Sequence, residues 1–392
     1  MRILFTGGGT GGHIYPIIAV AEKVPDVALQ AGISGVDLYY LGVPGIYGRL
    51  LQSAGFSVSR VVSAKLRRND LLRNLLDIPM LFISIVQALW KVYWIMPDVL
   101  FSKGGPGALP VVFACAFYRV PIVIHESDSV AGLTNTVSGR FAERIGVAFA
   151  GAEESFLERV VKDSDREIMK QRIALVGNPI RNFFFAESDL TTAAQGKAAL
   201  GLDQNKPLLL VLGGSQGSVR INEFILSIAE DLMNKHFQIV HQTGNANYES
   251  VQREVGLLLQ KYSADFKHSY RIIPYFNEDI KDAMIAADLV ISRAGSGSIF
   301  EIAAMGRPSM LIPLPESAFD HQVKNAYIYA RTGAAIAIEE GNLTKNIFMT
   351  QLDKLFAQPN TLSAMGEAAK TFSRPHAAEM LAAEIIKLGR RG

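Results

Sequence analysis

The chain has 392 residues, of which 49% are hydrophobic and 19% charged, so it has the material for two or three globular domains and too much core for a disordered chain. A net charge of +2 is too small to imply a nucleic-acid partner, and a single cysteine, Cys115, excludes an intrachain disulfide and a cysteine-rich zinc site. In chain order, the first element is an apolar strand, Arg2–Thr6, that runs straight into the glycine loop GGGTGGH with no charged-then-apolar leader before it. A cytosolic location is therefore expected.

Three more apolar runs end the same way. Asp98–Ser102 precedes KGGPG, Leu208–Leu212 precedes GGSQGS, and Asp288–Ser292 precedes RAGSGS. Each reads as a buried parallel strand followed by a turn that opens a helix. DVLFSKGGPG and DLVISRAGSG share an Asp, three apolar residues, a Ser, a basic residue and paired glycines. The repeat predicts two similar α/β domains, doubly wound and Rossmann-like, with two glycine loops each at the carboxyl ends of their strands, facing a central cleft. The boundary is placed at LVGNPIRN, giving 1–178 and 179–374, with a last helix over 375–392 that returns to the first domain.

The stretch Ile78–Met96 is nineteen residues long, with Ser84, Gln87 and Lys91 as its polar members. That length could span a bilayer. At about 100° per residue, however, Arg73, Asp77, Ser84, Gln87 and Lys91 fall on one stripe. Pro79 predicts a kink or a fresh start, and the strand that follows at once belongs in the first sheet. Two readings stay open: a core helix, or a helix whose apolar face, with Phe82 and Trp90, enters a membrane interface beside the basic cluster Lys65, Arg67, Arg68 and Arg73.

Gly7–Gly12 fits G-x-G-x-x-G, the dinucleotide fingerprint, but the next strand, VDLYYLGVPG, ends without the acid that would hold a ribose. What remains is general: glycines let backbone N–H groups approach phosphate, and a helix N-terminus favours negative charge. No G-x-x-x-x-G-K-[ST] loop is present, which argues against an ATPase, and nothing implies a cofactor. His13 stands at the loop mouth, where an imidazole can accept a proton from an attacking hydroxyl. His125–Asn135 (HESDSVAGLTN) reaches the same sheet edge, so Glu126 could orient a base and Asn135 could bind phosphate or sugar. Glu301, about two turns into the helix after RAGSGS, could hold a ribose diol. Gln322 and Asn325 suit sugar hydroxyls. The D-x-D at Asp163–Asp165 lies in a polar surface stretch, so a metal is not favoured; Arg181 could neutralise a departing diphosphate instead.

The series GGTGGHIYPIIAVA, GGPGALP, HES, AGLTN, GNPIR, GGSQGS, SRAGSGSIFEIAAMGRPSMLIPLP and DHQVKNA resembles, in order and over nearly the whole chain, the MurG family of GT-B glycosyltransferases. The resemblance implies transfer of N-acetylglucosamine from UDP to the 4-hydroxyl of the muramyl sugar of lipid I, making lipid II, with no metal in the catalytic site. It implies that Thr10, Gly11 and Gly12 lie near the donor and the acceptor diphosphate, that His13 is the base, and that Gly104, Gly105 and Asn135 serve the acceptor. Arg181, Ser215, Ser296, Gly297, Ser298 and Glu301 would hold UDP, Asn277 would lie near the uracil, and Gln322 would hold the sugar. The helix with its basic rim resembles a patch that docks on an anionic membrane surface. The chain departs from the family at HESD, which puts Asp128 where HEQN has Asn, and at KGGPGALP, which replaces a GG-aromatic-Val loop. Asn277 stands in for an apolar residue. Two further readings keep the same donor half: a transferase with another lipid acceptor, and a non-catalytic nucleotide-sugar-binding protein.

Overall fold

The computed structural model describes residues 1–62, 71–158, 160–188, 190, 192–214, 217–260, 268–358 and 360–391, and excludes the side chains of 71–78. The chain divides into two compact units, Met1–Arg181 with Arg374–Gly392, and Asn182–Ser373.

Among its described residues the first unit holds seven parallel strands: β1 (Arg2–Thr6), β2 (Asp37–Gly42), β3 (Ser57–Arg60), β4 (Val99–Ser102), β5 (Ile122–Glu126), β6 (Arg144–Val147) and β7 (Ile173–Leu175), in the order β3-β2-β1-β4-β5-β6-β7. Among its described residues the second holds six: β8 (Leu208–Leu212), β9 (Gln238–Gln242), β10 (Tyr270–Ile273), β11 (Leu289–Ser292), β12 (Ser309–Leu311) and β13 (Ala335–Ala337), in the order β10-β9-β8-β11-β12-β13. Both are doubly wound, Rossmann-like sheets. The strand order reverses between β1 and β4 in one unit and between β8 and β11 in the other. These are the strands whose sequences end in glycine loops, and such switch points open a crevice for a ligand.

The strands are apolar on both faces because helices cover both. Ile3, Phe5, Val99 and Phe101 pack into one core of the first unit, and Leu4, Leu100 and Ile124 into another. The repeated Asp has a structural task. Asp98 Oδ2 accepts the Arg2 backbone N–H at 2.7 Å, and Asp288 Oδ2 accepts that of Leu208 at 2.7 Å. Each carboxylate thus satisfies the first donor of the neighbouring strand and sets its register. The final helix, Ala377–Gly389, buries Leu381, Ile385 and Ile386 in the same core as Ile14 and Ile17 of helix Gly11–Gln30, and Glu384 pairs with Arg144 at 3.0 Å.

Helix Leu71–Ile95 runs on through Pro79 rather than restarting there. Over its described part the polar residues Ser84, Gln87 and Lys91 turn inward, the reverse of an ordinary surface helix. Ser84 Oγ donates to the Val62 carbonyl at 2.5 Å, Gln87 Oε1 accepts the Val62 N–H at 3.1 Å, and Lys91 Nζ donates to the Arg60 carbonyl at 2.8 Å. These groups satisfy backbone just past β3, beside buried Ala88 and Val92. The large apolar residues face out: Phe82 is 68% exposed, Trp90 65% and Trp94 66%. Phe117 and Tyr118 are also exposed, and Tyr93 packs against Tyr118 with ring centroids 6.3 Å apart. Lys65, Arg67 and Arg68 lie outside the described residues, as does the side chain of Arg73. Among the described residues, no helix is long and apolar enough to cross a membrane.

Candidate functional site

In the first unit the loops after β1, β4 and β5 converge at the sheet's carboxyl edge. The first opens helix Gly11–Gln30, with Thr10 as its N-cap, and the second opens helix Ala108–Phe117. They meet so closely that a Cβ on Gly105, whose φ is +83°, would lie 2.9 Å from both His13 Nε2 and Gly8 N. Gly104 (φ +75°) likewise has no room for one, because Asn135 stands against it. Only glycine meets both demands here, the left-handed backbone and the contact.

His13 is half-buried. Its Nδ1 is 2.8 Å from Thr10 Oγ1, which fixes the ring and leaves Nε2 turned to the second glycine loop. Burial, then the nearby Lys103 ammonium, pulls its pKa down to about 4, against a smaller raising effect of Asp128. The ring is therefore neutral at physiological pH and able to accept a proton.

Lys103 was not singled out in the sequence, where it is one basic residue before a glycine pair. The structure buries it to 2% exposure. Its Nζ donates to Ser127 Oγ, which donates on to Asn178 Oδ1 at 2.9 Å. Burial lowers the Lys103 pKa to about 8, and Glu126 and then Asp128 oppose that shift. The basic residue repeated in the second unit, Arg293, is buried as well. It donates to Ser218 Oγ at 2.7 Å and pairs with Glu340 at 2.5 Å. The recurrence of a basic residue just after an Asp-led strand was the available signal, and its meaning needed burial to be seen.

Glu126 sits at the end of β5 with its carboxylate engaged by its own loop. Oε1 accepts the Asp128 N–H at 3.0 Å; Oε2 accepts the Gly132 N–H at 3.1 Å and Asn135 Nδ2 at 2.9 Å. Burial and the neighbouring Asp128 raise its pKa. This geometry makes Glu126 a brace for the loop 126–135, rather than the orienter of His13 that its position in the sequence suggested: the group holding His13 is Thr10. His125 is fully buried, bonded through Nε2 to the Gly177 carbonyl at 2.8 Å, and burial holds its pKa well below the usual value. Arg181 lies over the Tyr15 ring at 5.1 Å from the centroid.

In the second unit two loops open helices Val219–Asn234 and Ser296–Ala304, the first capped by Ser218, whose Oγ accepts the Ile221 N–H at 3.3 Å. Ser296, Gly297 and Ser298 form the first turn of the second helix, and Glu301 follows them on it. Ser215 lies outside the described residues. Gln322 Oε1 accepts the Leu314 N–H at 3.1 Å, and its own N–H reaches Ser317 Oγ at 3.2 Å. Phe319 (φ +58°) and Asp320 (φ +55°) just before it hold left-handed backbone, a costly arrangement for residues with side chains, of the kind that clusters at functional loops. The Asn277 N–H is bound by Asp279 Oδ1 at 2.7 Å. Among the described residues, no group of three or more His, Cys, Asp or Glu is placed to hold a metal ion.

Comparison with known proteins covers both units. Residues 3–147 match the glycosyltransferase family 28 N-terminal domain and residues 208–381 the glycosyltransferase family 28 C-terminal domain. A protein of Halalkalibacterium halodurans described as UDP-N-acetylglucosamine–N-acetylmuramyl-(pentapeptide) pyrophosphoryl-undecaprenol N-acetylglucosamine transferase is 32% identical over 99% of this chain and 100% of its own length. Its namesake from Halothermothrix orenii is 35% identical over 97% of each chain. In fold, the chain is similar to the crystal structure of MurG from Acinetobacter baumannii, with a TM-score of 0.72 and 24% identity, covering 98% of this chain and 99% of that one. It is also similar to the UDP-GlcNAc 2-epimerase of Neisseria meningitidis, with a TM-score of 0.65 and 12% identity over 99% and 100%. Two doubly wound parallel sheets with glycine loops at their switch points are the GT-B architecture, and with both domain matches in sequence order the chain belongs to glycosyltransferase family 28.

Proposed function

We propose that this enzyme moves N-acetylglucosamine from UDP-N-acetylglucosamine to the muramyl 4-hydroxyl of lipid I, forming lipid II for peptidoglycan. The observation that carries this reading is similarity, along essentially the full length of both chains, to transferases described by that reaction. The geometry fits it. The acceptor oxygen attacks the anomeric carbon as the bond to the UDP diphosphate breaks, inverting that carbon. The proton passes from the 4-hydroxyl to His13 Nε2, and the electron pair leaves on UDP. Backbone N–H groups of the glycine loops and helix N-termini, with Arg181, offset the charge on the leaving group.

On the donor side we assign the diphosphate to Thr10, Gly11, Gly12, Arg181, Ser215, Ser296, Gly297 and Ser298, the ribose to Glu301, the uracil end to Asn277, and the sugar to Gln322 and Asp128. Gly104, Gly105 and Asn135 serve the acceptor. Asp128 offers the sugar only an acceptor, where Asn would also donate. Purified protein given UDP-N-acetylglucosamine and lipid I should release UDP and form lipid II. Release with a different lipid acceptor only, or UDP binding without any transfer, would overturn the assignment.

Docking on the cytoplasmic membrane surface is a second part of the proposal, supported by the outward aromatic face of helix Leu71–Ile95. Phe82, Trp90, Trp94 and Phe117 are exposed large apolar side chains, and exposed Arg119 follows two residues after Phe117. Arg67, Arg68 and Arg73 would add attraction to anionic lipid. Flotation on anionic vesicles should fall about tenfold or more when Trp90 and Trp94 are both changed to Ser, because each indole would bury a large apolar area. Neutralising Arg67, Arg68 and Arg73 should weaken flotation mainly at low salt. Unchanged flotation in both variants would sink the docking assignment.

A further inference from the structure

Three consecutive polar residues stand at the end of β9 and just past it, His241, Gln242 and Thr243, all buried. A fully buried strand end has no solvent to satisfy such groups, so each must find a partner. Their partners lie on the two sides of β9. The Asn222 side chain, on helix Val219–Asn234, accepts from His241 Nε2 through its Oδ1 at 3.0 Å and donates through its Nδ2 to the Thr243 carbonyl at 3.0 Å. His241 Nδ1 meets the Tyr270 hydroxyl of β10 at 2.9 Å. Gly217, in the glycine loop, runs so close to the Thr243 carbonyl that no Cβ fits there, and its φ is +76°.

Gln242 is the residue that joins two loops. Its Nε2 donates to the Gly214 carbonyl, in the glycine loop after β8, at 3.0 Å. Its Oε1 accepts the Phe276 N–H, in the loop after β10, at 3.1 Å. One carboxamide thus uses its donor and its acceptor to lock together the loops flanking β9 at the carboxyl edge of the sheet. Gln is one of two side chains that can do this, and Asn is a methylene too short for the same reach.

We propose that Gln242 is a positioning residue for the donor nucleotide, holding Gly214, just past the end of β8, and the loop carrying Phe276 and Asn277 at the spacing one UDP molecule requires. This rests on the donor assignment made above. Gln242 does not touch the reacting atoms; it acts by preorganising the two loops, so its loss is felt in binding more than in the chemical step.

The test compares Gln242→Met, which keeps the volume and loses both bonds, with Gln242→Glu, which can still accept from Phe276 but sets a carboxylate against the Gly214 carbonyl. Val255→Ala, a core change elsewhere in the same unit, controls for destabilisation. UDP affinity by calorimetry and KM for the donor should worsen on the order of tenfold in both Gln242 variants, while kcat stays within about threefold and KM for the lipid acceptor does not move. The Val255 variant should unfold earlier on heating with unchanged donor KM. Wild-type-like UDP affinity in either folded Gln242 variant would overturn the proposal. Absence of UDP binding by the wild-type protein would instead overturn the donor assignment itself.

Discussion

Replacing His13 by Ala should lower kcat by roughly 10²–10⁴-fold, the usual contribution of a positioned general base, while UDP affinity stays near that of the wild-type protein. The pH dependence gives a sharper test. A base acts in its neutral form, so activity is present above the pKa and is lost as pH falls through it. In the free protein that pKa is about 4, set first by burial and then by Lys103. The acid limb of kcat/KM, which reports the free enzyme, should therefore fall near pH 4. The acid limb of kcat, which reports the loaded enzyme, should lie at higher pH, because two bound diphosphates add negative charge and favour the protonated ring. This upward shift also makes His13 a stronger base at the moment it is needed. Lys103→Met removes a positive charge that lowers the His13 pKa, so it should move the acid limb of kcat/KM upward. A kcat of near wild-type size in His13→Ala would remove His13 as the base; an acid limb indifferent to Lys103 would remove the electrostatic link.

The second large effect is expected at Glu126. Changing it to Ala strands three donors, the N–H groups of Asp128 and Gly132 and the Asn135 amide, and takes one neighbouring negative charge from buried Lys103. Removing one member of a buried charge set costs about 3–5 kcal/mol, so denaturant unfolding should shift well to lower concentration. Glu126→Gln keeps one oxygen acceptor and should be milder, with turnover within about tenfold of wild type. That pair of outcomes fits a brace. A well-folded Glu126→Gln protein that lost a thousandfold in kcat would instead put the carboxyl into proton transfer.

The two residues show how far the chain could be read without coordinates. His13 was legible because a histidine directly after a glycine loop that opens a helix must stand at the loop mouth, whatever the rest of the fold does. Glu126 was legible as a member of the same edge, since it ends a strand, but its task was not. Whether a carboxylate reaches a neighbouring histidine or folds back on its own loop depends on the path of residues 127–135, which no local pattern sets.

The helix Leu71–Ile95 makes the same point from the other side. Periodicity identified its polar stripe and its apolar face correctly, yet not which of them would meet the protein. An amphipathic stripe has two sides, and the sign of its orientation is decided by what lies underneath. Here the backbone groups of Arg60 and Val62 need partners, and Ser84, Gln87 and Lys91 supply them.

By itself the sequence determined the two parallel sheets, the four glycine loops and the kind of ligand they favour. Those features are written in short-range patterns: alternate faces of a strand, and glycines where backbone must approach an anion. Tertiary structure alone decided the partners of Lys103, Glu126 and Gln242, each a buried polar group whose meaning lies in them. The hydrogen bonds that join Gln242 with Gly214 and with Phe276 span 28 and 34 residues. At such separations the pairing is set by how strands are ordered in the sheet, and strand order is a property of the folded unit rather than of any segment in it.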